Sequence, residues 1–278
     1  MTDRYAVIGN PVAHSRSPAI HALFAKQTGH DIEYGRLLAP LDGFVEAVER
    51  FRDAGGRGLN VTLPFKLDAF VWAGRRSARA LAAGAVNTLR FDGPREAFGD
   101  NTDGIGLVRD IESRHGLRLA GCSIAILGAG GASRGAIGPL LEAGAARITI
   151  ANRTPARALE LAAAFAAAPG RVQASTFESL DPGYDLIVNA TSAGLAGERL
   201  PIADAVLAAA KLAYDMFYGA RDTAFVAQAR AAGCPRACDG LGMLIEQAAE
   251  SFLVWRGVRP LTAPVHEAMR SEIAAESG

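Results

Sequence analysis

Ser123-Ile124-Ala125-Ile126-Leu127-Gly128-Ala129-Gly130-Gly131-Ala132-Ser133 is a short apolar run, rich in isoleucine, that ends in a glycine turn and opens a helical stretch. A strand, such a turn, a helix and a second strand (147–151) follow one another in the order that binds a dinucleotide. Gly128 permits the tight turn and Gly130 lets a pyrophosphate approach the backbone. The amides that open the helix, around Gly131 and Ala132, turn partial positive charge towards the phosphates.

The second strand ends in Asn152-Arg153-Thr154, with Arg157 close behind. A NAD-binding chain usually carries an acidic residue there, against the ribose 2′-hydroxyl. A carboxylate would repel a 2′-phosphate, whereas a guanidinium grips one through paired, charge-assisted hydrogen bonds. The stretch therefore predicts NADP rather than NAD. A plain structural turn and a solvated surface arginine are the alternatives for each motif taken alone; strand, turn, helix, strand and basic end together weigh against both.

A chain of 278 residues is long enough for one or two domains. Lys and Arg number 29, as do Asp and Glu, so the basic excess expected of a nucleic-acid-binding surface is missing. Met1-Thr2-Asp3-Arg4-Tyr5 runs straight into a strand without an export signal. The Ala-rich run 156–168 is too short to span a bilayer and suits an amphipathic helix ended by Pro169-Gly170. No nucleic acid and no membrane is expected as a partner, and the location expected is cytoplasmic. Cys122, Cys234 and Cys238 are odd in number and lack paired metal spacing, which suits reduced, structural thiols. His14 and His21 have no spacing with Asp, Glu or Cys that suggests a metal site.

Strands and helices alternate along the chain. Strands are expected over 5–8, 32–38, 58–62 and 85–91, with helices over 18–27, 44–54 and around 76–82. A helix over 102–115 leads into the nucleotide-binding unit. Strands over 171–174, 185–190 and 213–217 follow, then helices over 223–232, 241–255 and 264–275. This pattern predicts an α/β protein whose second part is a doubly wound parallel sheet of the Rossmann type.

Polar clusters sit at the ends of the first strands. Asn10-Pro11-Val12-Ala13-His14-Ser15-Arg16-Ser17-Pro18 follows the first; Ser17 reads first as a helix N-cap before Pro18, while Ser15 caps nothing obvious. Two hydroxyls beside a helix start also suit a carboxylate. Asn60-Val61-Thr62-Leu63-Pro64-Phe65-Lys66 places amide, hydroxyl and amine beyond a strand end, where open α/β sheets bind ligands. Lys66 alone would read as a surface lysine. Asn87-Thr88 and Asp100-Asn101-Thr102-Asp103-Gly104 repeat the placement, with Asp103 otherwise a carboxylate that favours a helix N-terminus.

These segments, with Asn189-Ala190-Thr191-Ser192-Ala193-Gly194, Tyr214-Asp215-Met216-Phe217-Tyr218 and the run from Asp239 to Ala249, resemble the shikimate/quinate dehydrogenase family in order and spacing over nearly the whole chain. The resemblance is to the NADP-dependent shikimate dehydrogenases. It implies reduction of 3-dehydroshikimate to shikimate with NADPH, on the route to aromatic amino acids, by two α/β domains flanking a cleft: 1–103 plus 244–278 for substrate and catalysis, 104–243 for NADP. It assigns the substrate carboxylate to Ser15, Ser17 and Tyr218, the ring hydroxyls to Asn60, Thr62, Asn87, Asp103 and Gln247, and proton transfer to Lys66. Nucleotide contacts fall on Gly128, Ala129, Gly130, Gly131, Ala132, Asn152, Arg153, Thr154, Arg157, Met216, Gly240 and Met243. Ala78 departs from the pattern, standing where many members carry an acidic residue. No partner chain is implied beyond a monomer or homodimer.

Hydride arriving at a ketone carbon leaves negative charge on oxygen, so a positioned proton donor is needed; Lys66 paired with Asp103 fits. The rival expectations are a quinate/shikimate enzyme with broader substrate or NAD use, an aminoshikimate-type homologue, and a non-catalytic sensor of NADPH or a metabolite.

Overall fold

Short apolar strands, most of them buried along nearly their whole length, alternate with helices from one end of the chain to the other, and the computed structural model describes residues 2–93, 96–191 and 198–276. The elements are β1 (Asp3–Gly9), α1 (Ser17–Thr28), β2 (Ile32–Leu38), α2 (Phe44–Asp53), β3 (Gly56–Val61), α3 (Lys66–Trp72), β4 (Arg75–Arg76), α4 (Ala78–Ala83), β5 (Thr88–Phe91) and β6 (Ala97–Asp100). There follow α5 (Asp103–Arg109), a π-helical turn (Asp110–Arg114), β7 (Ser123–Leu127), α6 (Gly131–Glu142), β8 (Arg147–Ala151), α7 (Pro155–Ala163), β9 (Val172–Ser175) and β10 (Leu186–Asn189). The rest is α8 (Asp204–Ala209), β11 (Leu212–Asp215), α9 (Ala224–Ala231), β12 (Ala237–Cys238), α10 (Leu241–Arg256) and α11 (Ala263–Ala275). Among the described residues no helix is long and apolar enough to cross a membrane.

Contacts divide the chain into two units, Met1–Gly106 with Leu244–Glu272 and Leu107–Met243 with Ile273–Gly278. The second unit holds a six-stranded, wholly parallel sheet in the order β12-β11-β10-β7-β8-β9. Counting from β7, this is the doubly wound order, and its reversal point falls between β7 and β10. Ile187, Leu207 and Phe225 are buried in one apolar cluster of this unit.

The first unit holds a mixed sheet, β2-β1-β3-β5-β6-β4. β1 is parallel to β2 and β3, whereas β5 runs antiparallel to both β3 and β6. Sequence periodicity missed β4 and β6. Both are too short for alternation to register, and β6 is formed by pairing with β5 rather than by β-branched side chains. The expected strand 85–91 shrinks to β5, because residues before Thr88 are drawn into polar contacts. One helix face explains much of the packing: Gln247, Ser251 and Trp255, spaced by four on α10, point to the same side. Trp255 donates from Nε1 to the Leu89 carbonyl at 2.9 Å and stacks on Tyr5.

Three local expectations change. Arg16, not Ser17, is the N-cap of α1, and no side chain caps it; Ser15 Oγ instead accepts the Ser17 amide at 3.3 Å. The alanine run leaves the α-helix at Ala163 and continues in tighter bonds such as Phe165 N to Ala162 O and Ala168 N to Phe165 O, because most of its side chains are exposed and gain nothing by continuing. The helix over 102–115 widens into the π turn from Asp110, where His115 N donates to Asp110 O and the buried Asp110 carboxylate accepts from Tyr214.

A buried charge cluster ties α4 and α10 to the first sheet. Arg79 forks onto Asp100 at 2.7 and 2.6 Å, and Arg259 bonds Glu250 at 2.8 Å and also Glu246. Burial alone would raise the Asp100 pKa, but Arg79, Ser77 and the Asn101 amide outweigh it and hold the carboxyl below its ordinary value. Its stabilising contribution is therefore present above the unfolded-state pKa and is lost as pH falls through the folded value. Arg79→Met should lower the unfolding free energy by about 3 kcal/mol in urea denaturation at pH 7, because Asp100 loses its counter-charge. The gap to wild type should narrow below about pH 4, where that carboxylate protonates in the unfolded chain.

Candidate active site

In the first unit, sheet register gathers the polar residues. Asn60 on β3 lies opposite Thr88 on β5, and Thr88 lies opposite Asp100 on β6, so the chain leaves β6 through Asn101 and Thr102 on the same ground. Asp103 then opens α5, its amide donating to Asn101 Oδ1 at 3.2 Å. Lys66 opens α3 and is held by its own backbone, its carbonyl accepting from Val86 at 3.0 Å.

Lys66 Nζ bonds Asp103 Oδ2 at 2.6 Å, with the two side chains 31% and 19% exposed. The pair is therefore sheltered yet reachable. The other oxygen of Asp103 accepts from Asn87 Nδ2 at 2.8 Å. Asn87 Nδ2 also reaches Thr102 Oγ1 at 2.9 Å and Gln247 Oε1 at 3.3 Å, while Asn87 Oδ1 accepts from the Thr102 amide at 2.9 Å. Gln247 is fixed in turn by donating to the Leu244 carbonyl at 2.9 Å. Five of the expected residues, Asn60, Lys66, Asn87, Asp103 and Gln247, thus belong to one hydrogen-bonded array.

Asn60 joins it through Nδ2, which faces Ser251 Oγ at 2.9 Å, Thr88 Oγ1 at 3.2 Å and the Asn87 carbonyl at 3.3 Å. Tyr34 donates to Asn60 Oδ1 at 2.7 Å. Burial raises the Tyr34 phenol well above its ordinary pKa, with the Ser17 side chain pulling the other way. Ser15 and Ser17 stand at the start of α1, where Arg36 bonds the Ser15 carbonyl at 2.7 Å. Thr62 is half-buried four residues before Lys66, and its hydroxyl takes no part in the array.

Tyr34, Thr88, Thr102 and Ser251 complete the array without having been singled out. Thr88 and Thr102 lie inside the quoted motifs, and Ser251 is four residues beyond Gln247 on the same helix face, a spacing that would have found it. Tyr34 carries no local signal, since its role needs β2 placed beside β1. The helix bearing Ala78 is occupied by the Arg79–Asp100 pair and the Ser77 cap.

In the second unit, Gly128 adopts φ 104°, a conformation open to glycine, and packs against the Ala190 carbonyl at the sheet's reversal point. A Cβ on Gly130 or Gly131 would meet nothing within 4 Å, so the space above the turn is open. No side chain caps α6, which leaves its first amides to a ligand. Ser133 braces the turn from inside by donating to the Gly128 carbonyl at 2.8 Å. Ala129 and Ala132 flank these glycines. After β8, Asn152 folds back onto the Thr154 carbonyl at 3.0 Å, and Arg153 and Arg157 are exposed with no ion pair among the described residues. Gly240 packs so closely on the Met216 carbonyl that a Cβ would overlap it. Met243 donates its amide to the Tyr214 hydroxyl at 3.2 Å, and Tyr218 is half-buried after β11. Of the segment 189–194, residues 192–194 lie outside the described residues. Among the described residues no cluster of His, Cys, Asp and Glu is placed to hold a metal.

His21 is fully buried beside Tyr34, and burial pushes its pKa down to about 3, with the Asn60 side chain pulling the other way. The neutral ring stacks on Tyr34 at 4.3 Å. A buried imidazole that must stay neutral opposes acidification, because below about pH 6.5 the unfolded chain binds the proton that the folded one refuses. Stability should fall by up to about 1.4 kcal/mol per pH unit between pH 6.5 and 5 in urea denaturation, and His21→Gln should remove that component.

Three family models match: the shikimate dehydrogenase substrate binding domain over residues 7–89, the shikimate/quinate 5-dehydrogenase over 110–196, and the shikimate 5′-dehydrogenase C-terminal domain over 240–270. A shikimate dehydrogenase (NADP(+)) of Herminiimonas arsenicoxydans is 56% identical over 98% of this chain and 99% of its own. Among solved structures, an Ael1 enzyme from Pseudomonas putida is 47% identical with a TM-score of 0.91, covering 96% of this chain and 98% of that one. A shikimate 5-dehydrogenase from Thermus thermophilus, in complex with NADP(H) and shikimate, is 35% identical with a TM-score of 0.86, covering 97% and 99%.

Proposed function

The chain belongs to the shikimate dehydrogenase family, and we infer that it catalyses the reversible reduction of 3-dehydroshikimate to shikimate with NADPH, with Lys66 and Asp103 as the proton-handling pair. The observation that carries the assignment of the pair is the 2.6 Å bond between Lys66 Nζ and Asp103, set among amides and hydroxyls suited to a polyhydroxylated ring. The substrate domain is 1–103 plus 244–278 and the nucleotide domain 104–243 in this reading. The enzyme acts in the cytoplasm, on the route to aromatic amino acids.

The open space over Gly130 and Gly131, the uncapped start of α6 and the exposed guanidiniums of Arg153 and Arg157 fit NADPH. Bound there, NADPH supplies the hydride. The turn would hold the pyrophosphate and Arg153 and Arg157 the 2′-phosphate, with Asn152, Thr154, Met216, Gly240 and Met243 as further nucleotide contacts.

As negative charge develops on the ketone oxygen, the Lys66 ammonium stabilises it and donates a proton. In the oxidative direction Lys66 must first be deprotonated, then takes the proton from the C3 hydroxyl. Asp103 accepts from Lys66 with one oxygen and from Asn87 with the other, so its carboxylate cannot rotate without losing both bonds. Ser15 and Ser17, with Tyr218, bind the substrate carboxylate; Asn60, Thr62, Asn87 and Gln247 bind the ring hydroxyls.

Lys66→Ala should lower kcat for shikimate oxidation by roughly 10²-fold or more with a modest change in KM; turnover near wild type would overturn its role. In an absorbance assay crossing shikimate and quinate against NADP and NAD, the wild-type enzyme should strongly favour shikimate with NADP. Arg153→Ala should raise KM for NADP by about tenfold and leave KM for NAD nearly unchanged. Comparable wild-type rates with quinate or NAD would move the enzyme to a broader specificity, and inactivity with every pair would overturn the assignment.

A further inference from the structure

The Asn60 carboxamide is oriented from both ends. Its nitrogen faces the Asn87 carbonyl, which can only accept, so that end of the amide must be the NH₂ group. The same nitrogen meets Ser251 Oγ, and Ser251 in turn donates to the Gln247 carbonyl at 3.0 Å, leaving its lone pairs towards Asn60. At the other end Tyr34 donates to Oδ1 at 2.7 Å. The Tyr34 ring is held by its stack on His21.

Two N–H groups are thereby shared among three acceptors, and one of the two lone pairs on Oδ1 is taken. What Asn60 retains for a ligand is the second lone pair of its oxygen. We propose that Tyr34 and Ser251 are positioning residues that lock the Asn60 amide so that it serves as a hydrogen-bond acceptor, selecting a donating ring hydroxyl of the substrate over a hydrogen or an acceptor-only substituent at the same place. The proposal rests on the reading of this array as the shikimate site. It goes further in giving Asn60 one polarity and in assigning two residues, on β2 and α10, that act through it.

The bond from Asn60 to the substrate hydroxyl is present in ground and transition states alike, so its loss appears in KM rather than kcat. Tyr34→Phe and Ser251→Ala should each raise KM for shikimate about tenfold, with kcat within about twofold and KM for NADP unchanged, alongside the modest fall in melting temperature that an unsatisfied buried partner brings. Among monodeoxy shikimates, the analogue lacking the hydroxyl that meets Asn60 should be penalised about tenfold by wild type and scarcely at all by Tyr34→Phe. An unchanged KM for shikimate in Tyr34→Phe would overturn the proposal, as would a parallel rise in KM for shikimate and for NADP.

Hydrogen exchange at the Asn60 side-chain amide, followed by NMR on ligand-free protein, separates this from the functional reading. Slow exchange in wild type and fast exchange in both variants is expected. Equal rates would overturn the locking of Asn60 even in an active enzyme, whereas wild-type inactivity on shikimate would overturn the functional reading whatever the exchange rates.

Discussion

Asn87 is the residue on which the first unit's polar interior depends. Its one carboxamide meets Thr102 and Asp103 at the start of α5, Gln247 on α10 and Thr88 next to it in the chain, partners up to 160 residues apart in the chain. A buried amide costs free energy unless its donors and acceptors are met, so these segments must converge for the site to exist. Satisfying that one group also places the Asp103 carboxylate against Lys66. Structure and chemistry are set here by the same bonds, and the apolar cluster around Leu59, Phe65 and Val86 supplies the rigid ground beneath them.

The second unit meets a different requirement. In the proposed reading its turn binds through backbone groups; the side chains there are small, and the buried interior is largely apolar with polar supports such as Ser133 and Asp215. Burial raises the Asp215 pKa against the bonds it accepts from Thr223, Phe217 and Asn189, which fasten the ends of β10 and β11 beside the turn. In the proposed reading, the first unit recognises its ligand through side chains, whereas the second combines main-chain groups at the turn with the guanidiniums of Arg153 and Arg157.

The phosphate turn and the clusters at strand ends were legible in the sequence because each is local, a few residues whose types and spacing carry the physics. The parallel order of the second sheet followed from strand and helix alternation. What escaped was set by partners distant in the chain. β6 exists because β5 offers it a ladder, the π turn because Asp110 bonds Tyr214 more than a hundred residues on, and Tyr34 matters because β2 lies beside β1. Ser17 misled as a cap because serine before proline is locally the right pattern, while the Ser15 hydroxyl had already taken the Ser17 amide. The alanine run misled because helix propensity alone does not hold a segment that buries little.

The exposure of Arg153 and Arg157 has a consequence for the choice of nucleotide. Charges in open solvent are screened by mobile ions over about 8 Å at physiological ionic strength, whereas amides fixed at a helix start act at contact distance. With Arg153 and Arg157 holding the 2′-phosphate as proposed, the part of the affinity that distinguishes a phosphorylated ribose from a plain one is the part that dissolved salt erodes. Discrimination between the two nucleotides is a property of the enzyme together with its electrolyte, sharpest in dilute buffer and blunter as salt accumulates.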